Sequence, residues 1–79
     1  MRWYFKMLEK TPMYYRYAYS RESKDLDGEI IYFIATKEAR IEKPCLADKD
    51  SQLKAKTAID HFWTVVKEKF PYERSVCCG

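Results

Sequence analysis

The stretch Glu29–Ala35, EIIYFIA, decides how this chain folds. Seven residues rich in β-branched and aromatic side chains, opened by Gly28 and followed by a polar turn, read as a strand. Both of its faces are apolar, however. Ile31, Phe33 and Ala35 fall on one side, and Ile30, Tyr32 and Ile34 on the other. An antiparallel sheet with one solvated face alternates apolar and polar residues, so something has to cover each side of this strand.

Toward the N-terminus, SKDLDGE (23–29) is a loop in which Gly28 is expected to supply a positive φ. Before it, MYYRYAYS (13–20) puts Met13, Tyr15, Tyr17 and Tyr19 on one face and Tyr14, Arg16, Ala18 and Ser20 on the other. RWYFKMLE (2–9) alternates in the same way, with Trp3, Phe5 and Met7 against Arg2, Tyr4 and Lys6. Pro12 separates the two, because it lacks a ladder donor and restricts Thr11.

Toward the C-terminus, TKEA (36–39) predicts a turn into a short fourth strand, RIEK (40–43), ended by Pro44. That turn contains no glycine, which leaves one long bent strand as the alternative. Asp48 or Asp50 offers an N-cap for a helix over about 51–70. At about 100° per residue, Ala55, Ala58, Ile59, Phe62, Trp63, Val65, Val66 and Phe70 form one apolar stripe. Lys69 is the exception inside that stripe, and His61 belongs to the polar side. Pro71 stops the helix, and YERSVCCG (72–79) reads as a tail.

The expected fold is therefore α+β: a three- or four-stranded antiparallel meander packed on one C-terminal helix, in the order β-β-β-(β)-α. Residues 1–70 form a single domain and 71–79 a flexible tail. A single helix covers one face of a sheet. Trp3, Phe5, Tyr15, Tyr17, Ile31 and Phe33 are expected on the covered face, which leaves Tyr4, Tyr14, Arg16 and Tyr32 on the other.

Composition narrows the chemistry. With 47% hydrophobic and 34% charged residues in 79 positions, the chain is globular rather than disordered. No apolar run approaches the roughly 20 residues of a membrane span, and Arg2 and Lys6 interrupt any signal-peptide core. No membrane partner is expected. Three cysteines, an odd number without framework spacing, point to reduced thiols and a cytoplasmic protein. The net charge of +3 is unevenly spread, with basic ends flanking an acidic middle at 25–50.

No pattern of catalytic residues emerges, and no enzyme activity, cofactor or metal is expected. Two glycines cannot build a phosphate loop. DLDG (25–28) has too few acidic ligands for a calcium loop. Cys77 and Cys78 are adjacent, too close for an unstrained disulfide and badly spaced for zinc. Thiol or metal chemistry at that pair is the least favoured reading. Cys45 is expected to be a small buried apolar residue, and His61 a solvent-facing helix histidine with no nucleophile beside it.

The excess of rings is the strongest functional signal. Tyrosine and arginine suit interface cores because they bury area and keep a polar handle. The expected function is non-enzymatic binding through Tyr4, Tyr14, Arg16 and Tyr32, with a second copy of the chain or another protein as partner. The alternative is nucleic-acid binding by Arg16, Lys54 and Lys56. In LKAK (53–56) the last helix resembles that of double-stranded RNA-binding domains, a resemblance that implies phosphate contacts for the two lysines. The N-terminal helix of that family has no counterpart here.

Overall fold

The computed structural model describes residues 2–22, 24–45 and 52–77, with the side chains of 52–57 outside that description. It contains five strands and one helix: β1 (Arg2–Lys10), β2 (Tyr14–Arg21), β3 (Gly28–Phe33), β4 (Glu38–Lys43), α1 (Gln52–Lys67) and β5 (Glu73–Cys77). The strands form one antiparallel sheet in the order β4-β3-β2-β1-β5, with α1 packed on one face. The α+β architecture of a meander followed by a helix is thus as the periodicity predicts, with a fifth strand added. The tail expected after Pro71 contains that strand. It pairs with β1 from Arg2↔Cys77 to Lys6↔Glu73 and places Val76 beside Trp3 in the core.

The central strand is β2 rather than the two-sided β3, so the tyrosine-rich segment lies at the middle of the sheet. Tyr17 and Tyr19 point toward the helix and are fully buried with Trp3, Phe5 and Ile30. Phe62, on the inner face of α1, meets Phe5 edge-on at 5.6 Å and Tyr17 at 5.3 Å between ring centroids. Such pairs contribute about 0.5–1.5 kcal/mol each beyond their buried area. Rings do here what aliphatic side chains do in most cores.

The faces of β3 are the reverse of the expected ones. Ile30 and Tyr32 lie under the helix, whereas Ile31 and Phe33 face away from it. A strand apolar on both sides carries no periodicity to orient it, and the register is set elsewhere. Gly28 pairs with Tyr19, whose ring lies over it; a Cβ at Gly28 would stand 2.4 Å from Tyr19 Cε1 and 2.8 Å from the Cys45 nitrogen. Only glycine fits at that crossing. The positive φ expected of Gly28 is instead taken by Leu26, at 51°.

The β3–β4 turn spans 34–37 and needs no glycine, because Lys37 adopts the left-handed conformation (φ 59°) and donates its N–H to the Phe33 carbonyl at 2.9 Å. Two separate strands result, not one bent strand. At the other end of the hairpin, Cys45 is buried and its N–H donates to the Tyr19 hydroxyl at 3.0 Å. The candidate caps Asp48 and Asp50 lie outside the described residues.

The helix ends earlier than its apolar stripe suggests. Phe70 N–H donates to the Val65 carbonyl and Lys69 N–H to the Val66 carbonyl, the paired bonds of a Schellman termination. Lys69 and Phe70 both have positive φ, 63° and 60°. Lys69 therefore lies beyond the helix, which is why its place in the apolar stripe is harmless. Phe70 is turned back to stack on Tyr15 at 4.0 Å. His61 is not simply solvent-facing; its ring stacks on Trp3 at 5.6 Å.

Candidate binding surface

The face of the sheet away from α1 is built by period-2 alternation. Tyr4 and Lys6 come from β1, Tyr14, Arg16 and Ala18 from β2, Glu29, Ile31 and Phe33 from β3, and Glu38 and Arg40 from β4. Tyr4, Tyr14 and Arg16, expected on this face, are there and half-buried. Tyr32 is not. It is only 6% exposed, beneath the helix, with Trp63 edge-on at 6.1 Å and Phe70 at 5.1 Å. Phe33 takes the place expected for it, and Arg40 joins as a residue the sequence reading missed. Arg40 holds its guanidinium 5.2 Å from the centre of the Phe33 ring.

Arg16 is the hub of this face. Its Nε lies 3.4 Å from Glu9 Oε1 and its Nη1 3.3 Å from Glu29 Oε1, and its guanidinium rests 5.8 Å from the Tyr14 ring centre. Tyr14 donates its hydroxyl to the same Glu9 oxygen at 2.9 Å. The hydrogen bond to Glu29 raises the Arg16 pKa above its already high value. Such part-exposed pairs contribute little to stability. Their effect is on chemistry: the guanidinium arrives with two carboxylates around it, and its charge is already balanced.

Ile31 lies between Arg16 and Arg40 in register and is only 4% exposed. Ala18 and Ser20 are also buried on this face, although no helix covers them. Nearby, the β2–β3 loop brings Lys24 and Leu26 to a hollow of about 350 Å³ shared with Tyr4, Lys6, Glu73 and Ser75. Lys24 Nζ sits 5.9 Å from the Tyr4 ring centre.

The two sheet edges differ. Four of the six β4 residues are charged, a bulge at Glu42 interrupts its register with β3, and Pro44 follows; these features discourage pairing with another strand. On β5 the Arg74 guanidinium bonds the Ser75 carbonyl and is held by Glu68, with Nε 3.0 Å from each carboxylate oxygen.

The residues of the two less favoured readings fall largely outside the described structure. Lys54 and Lys56 lie in the first half of α1, and their side chains are outside the described residues. Cys77 is an exposed thiol on β5, and Cys78 is outside the described residues. Among the described residues, no three metal-ligating side chains form a group, and no helix is long and apolar enough to cross a membrane. No protein-family model, curated protein or solved structure matches this chain.

Proposed function

We propose that this protein is a non-enzymatic interaction module whose open sheet face, centred on Tyr14 and Arg16, binds a second copy of the chain. The two-sided character of the sheet carries this reading. With α1 on one face, the other still presents the half-buried rings of Tyr4, Tyr14 and Phe33, around the buried Ile31 and Ala18. Strands about 4.8 Å apart and about 20–25 Å long give five strands a projected face of about 500 Å², so that pairing two copies covers about 1,000 Å², the lower bound for a specific interface. The face carries both signs, with Lys6, Arg16 and Arg40 beside Glu9, Glu29 and Glu38, so a two-fold copy can set opposite charges against each other. Covering Arg16 costs less than burying a bare guanidinium, because its partners travel with it.

The same pairing weakens the nucleic-acid reading, since a phosphate approaching Arg16 meets Glu9 and Glu29 first. The exposed Cys77 thiol fits a reducing, cytoplasmic setting. Light scattering over a range of concentrations, in low and moderate salt, tests the proposal. A dimer that survives moderate salt is expected. Replacing Tyr14 and Arg16 together by Ala is expected to weaken it by about two orders of magnitude, as for loss of a central aromatic and arginine pair. A monomer at every concentration overturns the proposal, and so does a dimer indifferent to that double substitution.

A further inference from the structure

Strands β1 and β3 finish, and β2, β4 and β5 begin, at the same end of the molecule. There the chain collects its exposed apolar bulk. Among the described residues, the large hydrophobic side chains left exposed are Leu8, Met13, Ile34 and Tyr72, with Met13 at 75%. Leu8 lies near the end of β1, Met13 just before β2, Ile34 just after β3 and Tyr72 just before β5. The turns carrying Met13 and Ile34 form one ledge, since Ile34 N–H donates to the Met13 carbonyl at 3.1 Å. Pro12, Phe33 and Ala35 complete an apolar hollow of about 430 Å³.

We infer that this end docks on an anionic lipid surface, with Met13 and Ile34 entering the headgroup layer. The reading does not depend on the sheet-face dimer. It goes against the sequence expectation of no membrane partner, which rested on the lack of a spanning stretch; these side chains are scattered along the sequence and meet only in space.

Three features select lipid over another protein. The first is charge. Lys10, Lys37, Lys67 and Lys69 lie at or beside this end, and none makes an ion pair among the described residues. Four carboxylates share this end; Glu9 and Glu68 are engaged by Arg16 and Arg74, whereas Glu38, which lines the hollow, and Glu73 are not, so four lysines face two unengaged carboxylates. An apolar tip at which lysines outnumber the unengaged carboxylates is complementary to acidic headgroups.

The second is the backbone of the tip. Thr11 N–H donates to the Tyr14 carbonyl at 2.9 Å, and the Met13 and Tyr14 N–H groups donate to Thr11 Oγ1 at 3.2 and 2.9 Å. Pro12 has no N–H. Every donor from Thr11 to Tyr14 is thus satisfied within an exposed turn, the condition for entering a medium poor in water. The third is Tyr72, 62% exposed, whose ring suits the boundary between headgroups and water.

The test is co-sedimentation of the full chain with vesicles of phosphatidylcholine alone and of phosphatidylcholine mixed with phosphatidylserine. Binding is expected to the mixed vesicles only, weakening as salt rises. The double substitution Met13→Asp, Ile34→Asp is expected to cut binding by at least about tenfold. The pair Lys37→Gln, Lys69→Gln should cost about fivefold per lysine. Both sets alter exposed side chains, and an unchanged circular dichroism spectrum confirms the fold. Three results overturn the inference: no binding to the mixed vesicles at low salt, binding unaffected by the two aspartates, or a lipid-free mass that falls when the aspartates are introduced. The last would make this end a protein contact.

Discussion

Tyr17 joins the centre of the sheet to the exit of the helix. Its ring is fully buried against Phe62, and its hydroxyl donates to the Pro71 carbonyl at 2.6 Å. Burial, with a smaller contribution from Tyr15, raises its pKa well above the usual phenol value. The folded state thus holds the phenol proton more tightly than the unfolded chain, where it leaves near pH 10. The stabilisation from this group is complete below about pH 10 and is lost as pH rises above it, at up to about 1.4 kcal/mol per pH unit. Tyr17→Phe removes that alkaline loss and, at neutral pH, costs about 1 kcal/mol for the missing hydrogen bond. Urea midpoints of both proteins, measured at neutral pH and above pH ~10, check the crossing of the two effects. Part of the candidate site was legible at this scale and part was not. Alternation put Tyr4, Tyr14 and Arg16 on one face correctly. Tyr32 was misplaced because its strand is apolar on both sides, and the deciding contact, Tyr19 over Gly28, is invisible to local periodicity. Phe33 and Arg40 were hidden by the same ambiguity.

Among the elements, the helix shows how far a stripe of apolar residues can be followed. Its inner face, Ala58, Phe62 and Val65, was legible from spacing, and so were the alternating strands β1 and β2. Its end was not, because the stripe continues into Phe70 after the helical hydrogen bonds have stopped. Lys69 occupies the left-handed position that glycine usually fills in such a termination. An L-residue there bears a backbone cost of about 1 kcal/mol, which glycine avoids. Lys69→Gly is therefore expected to raise stability by up to about 1 kcal/mol, read as an upward shift of the urea midpoint without a change of slope. The strand β5 was hidden for the opposite reason. ERSVC has one apolar residue with an inward side, Val76, and too little pattern to announce itself; β1 supplies the pairing that makes it a strand.

The described residues form a single sheet with one helix laid across it, 31 Å in the longest dimension. Strand β5 has its place in that arrangement because it covers the flank of β1. Without it, Trp3 and Phe5 would present unpaired backbone groups at an open edge, beside a core that had lost Val76. Ending the chain after Tyr72 removes several ladder hydrogen bonds and one buried side chain, on the order of 5 kcal/mol. That is comparable to the entire stability of a small domain. The truncated protein is expected to show no cooperative thermal transition and poor dispersion of its amide resonances; a sharp transition close to that of the full chain would contradict it.

The pairing of Arg2 with Cys77 has a further consequence, for the order of events during synthesis. Strand β1 cannot acquire its second neighbour until the codons for residues 73–77 have been translated. The β1–β4 meander can collapse early, but β1 then waits as a sticky edge rich in aromatic residues. Through that interval the nascent chain depends on speed of completion, or on a chaperone, to avoid pairing with the wrong strand.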